Sequence, residues 1–160
     1  FRNMDAKRGK TLFYKRSHFV THLPVDAVYS PSHSWLLRDE SGLCRVGFTK
    51  FATRMLGEMV DHKFEIASET ALTVGKIIGW VEGFKAISDV YSIVDGTFHQ
   101  SNPQLIESIS LVSSKPYTDG WLYEAKGEPD SRCLDVNAYV AVLDVTIDKI
   151  LDEEKTSENK

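Results

Sequence analysis

Over most of the chain the apolar positions fall into short patches separated by turn-forming residues, and only the last quarter shows a helical period. Two runs, Trp35-Leu36-Leu37 and Cys44-Arg45-Val46-Gly47-Phe48, flank Glu40-Ser41-Gly42 and predict a β-hairpin. Thr49 predicts the N-cap of a short helix over residues 50–56, with Phe51 and Met55 on one face and Gly57 closing it. Met59, Phe64 and Ile66 are spaced as in a half-exposed strand. Ile77-Ile78-Gly79-Trp80-Val81 and Val90-Tyr91-Ser92-Ile93-Val94 have the length and apolarity of buried strands. The polar segment from Glu82 to Asp89 between them predicts a second hairpin, with Lys85 near its tip. Asp95-Gly96 predicts a turn into a strand over residues 97–100, Asn102-Pro103 a loop or short helix, and residues 116–120 a turn into a strand over 121–126.

Within residues 134–151 apolar side chains recur at Leu134, Ala138, Ala141, Val145 and Leu151, in a stripe broadened by Val136, Tyr139, Val140, Val142, Leu143 and Ile147. That is a helix of roughly five turns. Asp130 or Ser131 is its expected cap, and residues from 152 onward are expected to fray. A turn at Tyr29-Ser30-Pro31-Ser32 closes off a basic head. The expected organisation is an N-terminal extension (1–28), a central β domain (29–126) and a C-terminal helix with its tail (127–160). The fold class is mainly β with peripheral helices.

The 160 residues suit one domain, and 42% apolar with 26% charged residues can bury a core. Uncharged runs are too short to cross a bilayer, since Lys76 interrupts the longest, so no membrane partner is expected. A net charge of −4 argues against nucleic acid. Asp5 to Lys10 is polar and basic with no apolar h-region, and the expectation is a cytoplasmic protein with reduced thiols. Cys44 and Cys133 are too few for a disulfide scaffold or zinc site. They read either as a thiol pair near a functional site or as two buried small hydrophobes, and the lack of any evident cationic neighbour except Arg45 and Arg132 favours the second.

Catalytic templates are missing: the chain has no GxSxG, no Gly-rich phosphate loop and no HExxH. His18 and His22 could share a helical face, but no third ligand accompanies them, so no metal is expected. What remains is Lys85. An amine displayed at a strand reversal can be acylated by another enzyme, which removes its charge and makes the side chain a tether. With lipoic acid the arm from Cα to the dithiolane spans roughly 14 Å, and the cofactor carries the chemistry while the protein supplies position.

The residues around that lysine, Glu82-Gly83-Phe84-Lys85-Ala86-Ile87-Ser88-Asp89-Val90-Tyr91-Ser92, resemble the modification motif of the glycine cleavage H-protein family. Further blocks match in order: Tyr29-x-x-x-His33-x-Trp35, Val46-Gly47-Phe48-Thr49, Leu56-Gly57, Asn102-x-x-Leu105 and Pro116-Tyr117-x-x-Gly120-Trp121. The resemblance implies a biotinyl/lipoyl-type antiparallel β-sandwich (barrel-sandwich hybrid) and a non-catalytic carrier with lipoic acid on Lys85. It also implies that Glu82 and Asp89 flank the lysine for recognition by a lipoate-protein ligase or lipoyl transferase. The partners implied are glycine decarboxylase, aminomethyltransferase and dihydrolipoamide dehydrogenase. Biotin fits less well, because Phe84 and Ala86 stand where biotin acceptors carry methionines.

Two departures shift the expected pathway. Ser34 replaces the family's usual Glu between the motif's His and Trp, and Met55 precedes Leu-Gly in place of a polar residue. A docked primary amine needs acceptors to offset its desolvation, so this wall reads as less suited to an aminomethyl cargo. With the Thr11-to-Tyr14 head and the long C-terminal segment, the chain resembles the lipoate-binding proteins that serve heterodisulfide-reductase-like complexes in bacterial sulfur oxidation. A sulfur carrier is therefore the first expectation, a glycine cleavage carrier the alternative, and an unmodified scaffold the third.

Overall fold

The computed structural model describes residues 9–158. The head forms a hairpin of its own, β1 (Thr11–Arg16) and β2 (Phe19–Pro24). A six-stranded antiparallel sheet follows in the order β3 (Val28–Tyr29), β4 (Ser34–Arg38), β5 (Leu43–Phe48), β11 (Tyr123–Pro129), β10 (Val94–Ser101) and β7 (Ala71–Leu72). A three-stranded sheet of β6 (Met59–Phe64), β8 (Ile77–Gly83) and β9 (Ile87–Tyr91) completes the sandwich. The helices are α1 (Lys50–Leu56), α2 (Leu111–Ser114) and α3 (Val136–Glu158), with a 3-10 turn at Pro103–Ile106. This is the expected mainly β fold with a C-terminal helix.

Strand β4 shows why the core has two halves. Successive side chains on a strand point to opposite faces. Leu36 enters the cluster between the two sheets with Val46, Val81, Val94, Leu122 and Tyr123. Trp35 and Leu37 enter a second cluster, where Tyr14, Phe19, Leu23, Phe51, Tyr139 and Leu143 cover the outer face. The unbroken apolar run in β4 is therefore a strand buried on both sides.

The added segments clamp together over that second cluster. Tyr14 Oη donates to Asp144 at 2.8 Å, and Arg16 makes a two-pronged contact with Asp148 at 2.6 and 2.9 Å. Tyr29 and Leu134 exchange backbone hydrogen bonds of 2.7 Å, and the rings of Tyr29 and Tyr139 stack at 4.6 Å, 4° from parallel.

Five local expectations are corrected. Asp95-Gly96 is no turn: both residues pair in the ladder, with Glu128 and Gly127. The break lies at Ser92-Ile93, where Ser92 Oγ donates to the Val94 carbonyl and Ile93 N–H donates to the buried Tyr123 hydroxyl. Helix α3 begins at Val136, and the carboxylate that accepts from its first turn is Asp135, from Ala138 N–H, rather than Asp130 or Ser131. Its buried stripe is Val136, Tyr139, Leu143 and Ile147, a set at heptad-like spacing, whereas Val145 is exposed and the helix runs on to Glu158. The last strand starts at Tyr123, not 121. His18 lies in the β1–β2 turn and His22 within β2, paired with Phe13, rather than on a helix, and the described residues hold no cluster suited to a metal.

Candidate functional site

Lys85 stands at the reversal between β8 and β9. The turn is tight, with Gly83 N–H donating to the Ala86 carbonyl at 2.9 Å, so the loop is shorter than the polar segment 82–89 suggests. The side chains of Phe84, Lys85, Ala86 and Ile87 are all exposed, and Phe84 reaches 80% exposure. Such an apolar tip is costly for a free monomer and suits a surface that other proteins cover.

Main-chain hydrogen bonds hold the tip against α1. Lys85 N–H donates to the Leu56 carbonyl at 2.9 Å, and Phe84 N–H donates to the Glu58 carbonyl at 3.0 Å. The first bond uses a carbonyl that the helix leaves unsatisfied at its C-terminus, and the second one just beyond its cap. Two glycines permit the approach. A Cβ at Gly83 would lie 2.1 Å from the Leu56 carbonyl oxygen. Gly57 ends α1 at φ 80°, and its bare backbone carries the Lys85 stem, whose Cγ would sit 3.1 Å from a Cβ there. Thr49 caps the other end of α1 by accepting from Ala52 N–H, as expected.

The lysine amine donates to the Arg54 carbonyl at 3.4 Å, along the floor of an open cleft of about 330 Å³. Thr53, Arg54, Gly57, Glu58 and Ser113 line this cleft with Lys85. Glu58 supplies a carboxylate and Arg54 a guanidinium; neither makes an ion pair among the described residues. Sequence reasoning missed both. Their signal was position alone, flanking Met55-Leu56-Gly57.

The other sequence-selected residues scatter around this point. Glu82 is exposed on β8 opposite Ile87, and Asp89 is exposed on β9 opposite Trp80, so both acids stand on the hairpin's legs and neither lines the cleft. Ser34 is buried in the Ser30–Ser34 turn and borders no part of the cleft; Met55 is exposed and faces a neighbouring groove. His33, at φ 69°, contacts the Tyr139 hydroxyl through Nδ1 at 2.8 Å, and Tyr139 in turn donates to Thr49 Oγ1. Burial lowers the pKa of His33. It braces the helix cap and does not reach Lys85.

Cys44 is buried and Cys133 half-buried, both packed on the inter-sheet core, and burial pushes each thiol up to about 11. Cys44 lies at the end of β5 remote from α1, which follows Phe48. The bland reading of the pair, as small core hydrophobes, is the one the geometry matches.

A β-sandwich that displays a lysine at an exposed hairpin tip beside an open cleft has the architecture of a carrier domain. Comparison with known proteins agrees. The family profile described as Glycine cleavage H-protein matches residues 27–142. The glycine cleavage system H protein of Sodalis glossinidius (strain morsitans) is 36% identical over 128 residues, covering 78% of this chain and 97% of that protein. That of Klebsiella pneumoniae is 35% identical over 130 residues, covering 78% and 98%. A crystal structure of a glycine cleavage system H protein from Mycobacterium marinum superposes with a TM-score of 0.67 at 25% identity, covering 74% of this chain and 97% of that one. The chain belongs to the glycine cleavage H-protein family, non-catalytic carriers with lipoic acid attached covalently to a lysine.

Proposed function

We propose that this chain is the carrier component of a glycine cleavage system. Lys85 is the lysine that forms the lipoyl amide, and Glu82 and Asp89 flank it for the lipoylating ligase or transferase. The observation that carries this reading is the displayed amine at a tip fixed to α1 through main-chain bonds. When attached, the lipoyl group supplies a dithiol that carries an aminomethyl group among glycine decarboxylase, aminomethyltransferase and dihydrolipoamide dehydrogenase. The protein's own part is positional. The Leu56 and Glu58 carbonyls fix the pivot, and the cleft beside it offers Glu58 as an acceptor for an ammonium group. Phe84 and Ile87 give partners an apolar seat. Such a carrier works in the cytoplasm beside those enzymes. Described helices are not long and apolar enough to cross a membrane.

Glu58 answers the objection raised by Ser34 and Met55, because it brings a carboxylate to the cleft that neither of those positions lines. The second reading, a sulfur intermediate on the arm in a heterodisulfide-reductase-like pathway, draws on Arg54, which lines the cleft, makes no ion pair among the described residues and suits an anionic cargo. One experiment separates all three expectations. The protein is expressed with lipoate and its ligase, weighed intact, and then offered to glycine decarboxylase with labelled glycine. The expected result is one lipoyl increment, absent in Lys85→Arg, followed by labelled arm and carbon dioxide release. An increment without loading overturns the glycine reading in favour of the sulfur one, and no increment overturns the carrier reading.

A further inference from the structure

The Lys85 cleft carries a charge imbalance that holding an arm does not require. Its charged lining is Lys50, Arg54 and Lys85 against the single carboxylate of Glu58, an excess of positive charge in a chain of net charge −4. Lys50 and Arg54 stand four residues apart on α1, so their side chains leave the helix on one face, about 5–6 Å apart at Cβ. Both are exposed, and neither makes an ion pair among the described residues. The neutral donors of the lining are already engaged: Thr53 Oγ1 donates to the Lys50 carbonyl at 2.9 Å, and Ser113 Oγ to the Ser110 carbonyl at 3.2 Å. The cleft therefore meets a ligand with two uncommitted cations, beside an amine that rests on the Arg54 carbonyl at 3.4 Å.

We propose that Lys50 and Arg54 form a seat for the phosphate of a phosphoryl-activated acyl donor and hold it against the Lys85 amine, an inference that rests on the reading of Lys85 as an acylated lysine. A carboxylic acid does not acylate an amine until its hydroxyl becomes a leaving group, and a mixed carboxylic–phosphoric anhydride is one such form. In the transfer, unprotonated Nζ attacks the acyl carbon and the C–N bond forms. The C–O bond to the phosphate breaks, the phosphate departs with the electron pair, and the amine's proton passes to water. Negative charge grows on the departing phosphate, and cations already fixed at that point lower the barrier. The guanidinium of Arg54 offers a fork of donors to two phosphate oxygens, and Lys50 adds a point charge. An uncharged donor brings no phosphate to hold, so it reports only the bare reactivity of the amine. Acylation then erases the charge of Lys85 and leaves two cations against Glu58, which loosens the seat at the moment the phosphate has to leave.

The test needs no partner enzyme. The full, unmodified chain is treated with acetyl phosphate or with the uncharged donor p-nitrophenyl acetate, and acetylation of Lys85 is followed by mass mapping. Nα-acetyl-lysine amide serves as the free amine. The preference of Lys85 for acetyl phosphate is expected to exceed that of the free amine roughly fivefold, the upper range for an exposed ion pair, and to shrink in about 0.5 M salt. Arg54→Gln and Lys50→Gln are each expected to lower it, and the double variant to return it to the free-amine value. Lys63→Gln removes the same charge from β6, outside the cleft, and is expected to leave it unchanged. A wild-type preference equal to that of the free amine, or one that survives the double variant, overturns the phosphate seat. A parallel sample given lipoate and its ligase separates the two readings. Protein that gains the lipoyl increment but shows no donor preference overturns the seat and leaves the carrier reading intact. Protein that gains no increment overturns the carrier reading itself.

Discussion

The ring of Tyr139, on the C-terminal helix, stacks on that of Tyr29, the second residue of the first strand of the main sheet, at 4.6 Å and 4°. The same tyrosine's hydroxyl reaches His33 and Thr49, so one side chain joins the helix to the strand, the following turn and the cap of α1. Since α1 carries the lysine tip, the stability of the C-terminal helix bears on the geometry of the site.

Tyr139→Phe keeps the stack and removes the hydroxyl. It leaves His33 Nδ1 and Thr49 Oγ1 short of a partner in a buried setting, which is expected to cost about 1–3 kcal/mol. Tyr139→Ala also opens a cavity and is expected to cost about 3–5 kcal/mol. Urea denaturation of the two variants checks the order.

His33 makes stability depend on pH. Burial sets its folded pKa below the ordinary 6.5, and His62 is shifted in the same direction for the same reason. The unfolded chain therefore takes up the proton first. The contribution is complete above the unfolded value and is lost as pH falls through the folded one. The hydrogen-bonded carboxylates of Asp39 and Asp130 titrate lower still, below 3.8, and leave this window alone. A denaturation midpoint followed from about pH 7.5 to about pH 5 is expected to decline, and His33→Asn, which tolerates the positive φ, is expected to flatten the slope.

Gly83→Ala tests the anchor. The new methyl cannot coexist with the Leu56 carbonyl at 2.1 Å, so the tip must lift from α1. The expected result is a loss of about 1–3 kcal/mol together with slower lipoylation of Lys85, read as the rate of the mass increment. Phe84→Ser, at an exposed position without such a contact, is expected to leave stability unchanged.

The thiols should be quiet. With Cys44 and Cys133 pushed up to about 11 from an ordinary 9.0, each is expected to react with a neutral-pH alkylating agent roughly a hundredfold more slowly than a free thiol. Labelling counted by intact mass, in native buffer and in urea, checks this. Rapid native labelling of either cysteine would sink the core assignment.

Much of this was legible because it is local. Thr49 and Gly57 bracket α1, Glu40-Ser41-Gly42 reverses β4 into β5, and Lys85 sits at its hairpin, since caps and turns are written in a few adjacent residues. What was illegible depends on partners distant in the chain. Asp95-Gly96 has the composition of a turn, but Glu128 and Gly127 across the ladder hold it in a strand. The α3 stripe was misplaced because apolar residues occur on several faces, and only Tyr29, Phe51 and the added hairpin decide which face is covered. Glu58 and Arg54 escaped because a lone acid and a lone base gain meaning only when a tip from thirty residues away settles between them.

The tip's hold on α1 has an evolutionary corollary. Since main-chain hydrogen bonds pin the pivot, the exposed side chains around it are at liberty to change as long as Gly57 and Gly83 stay bare. Substitutions at Phe84 or Ile87 can retune which enzymes dock while the arm keeps its point of origin, so a lineage can switch clients without rebuilding the joint.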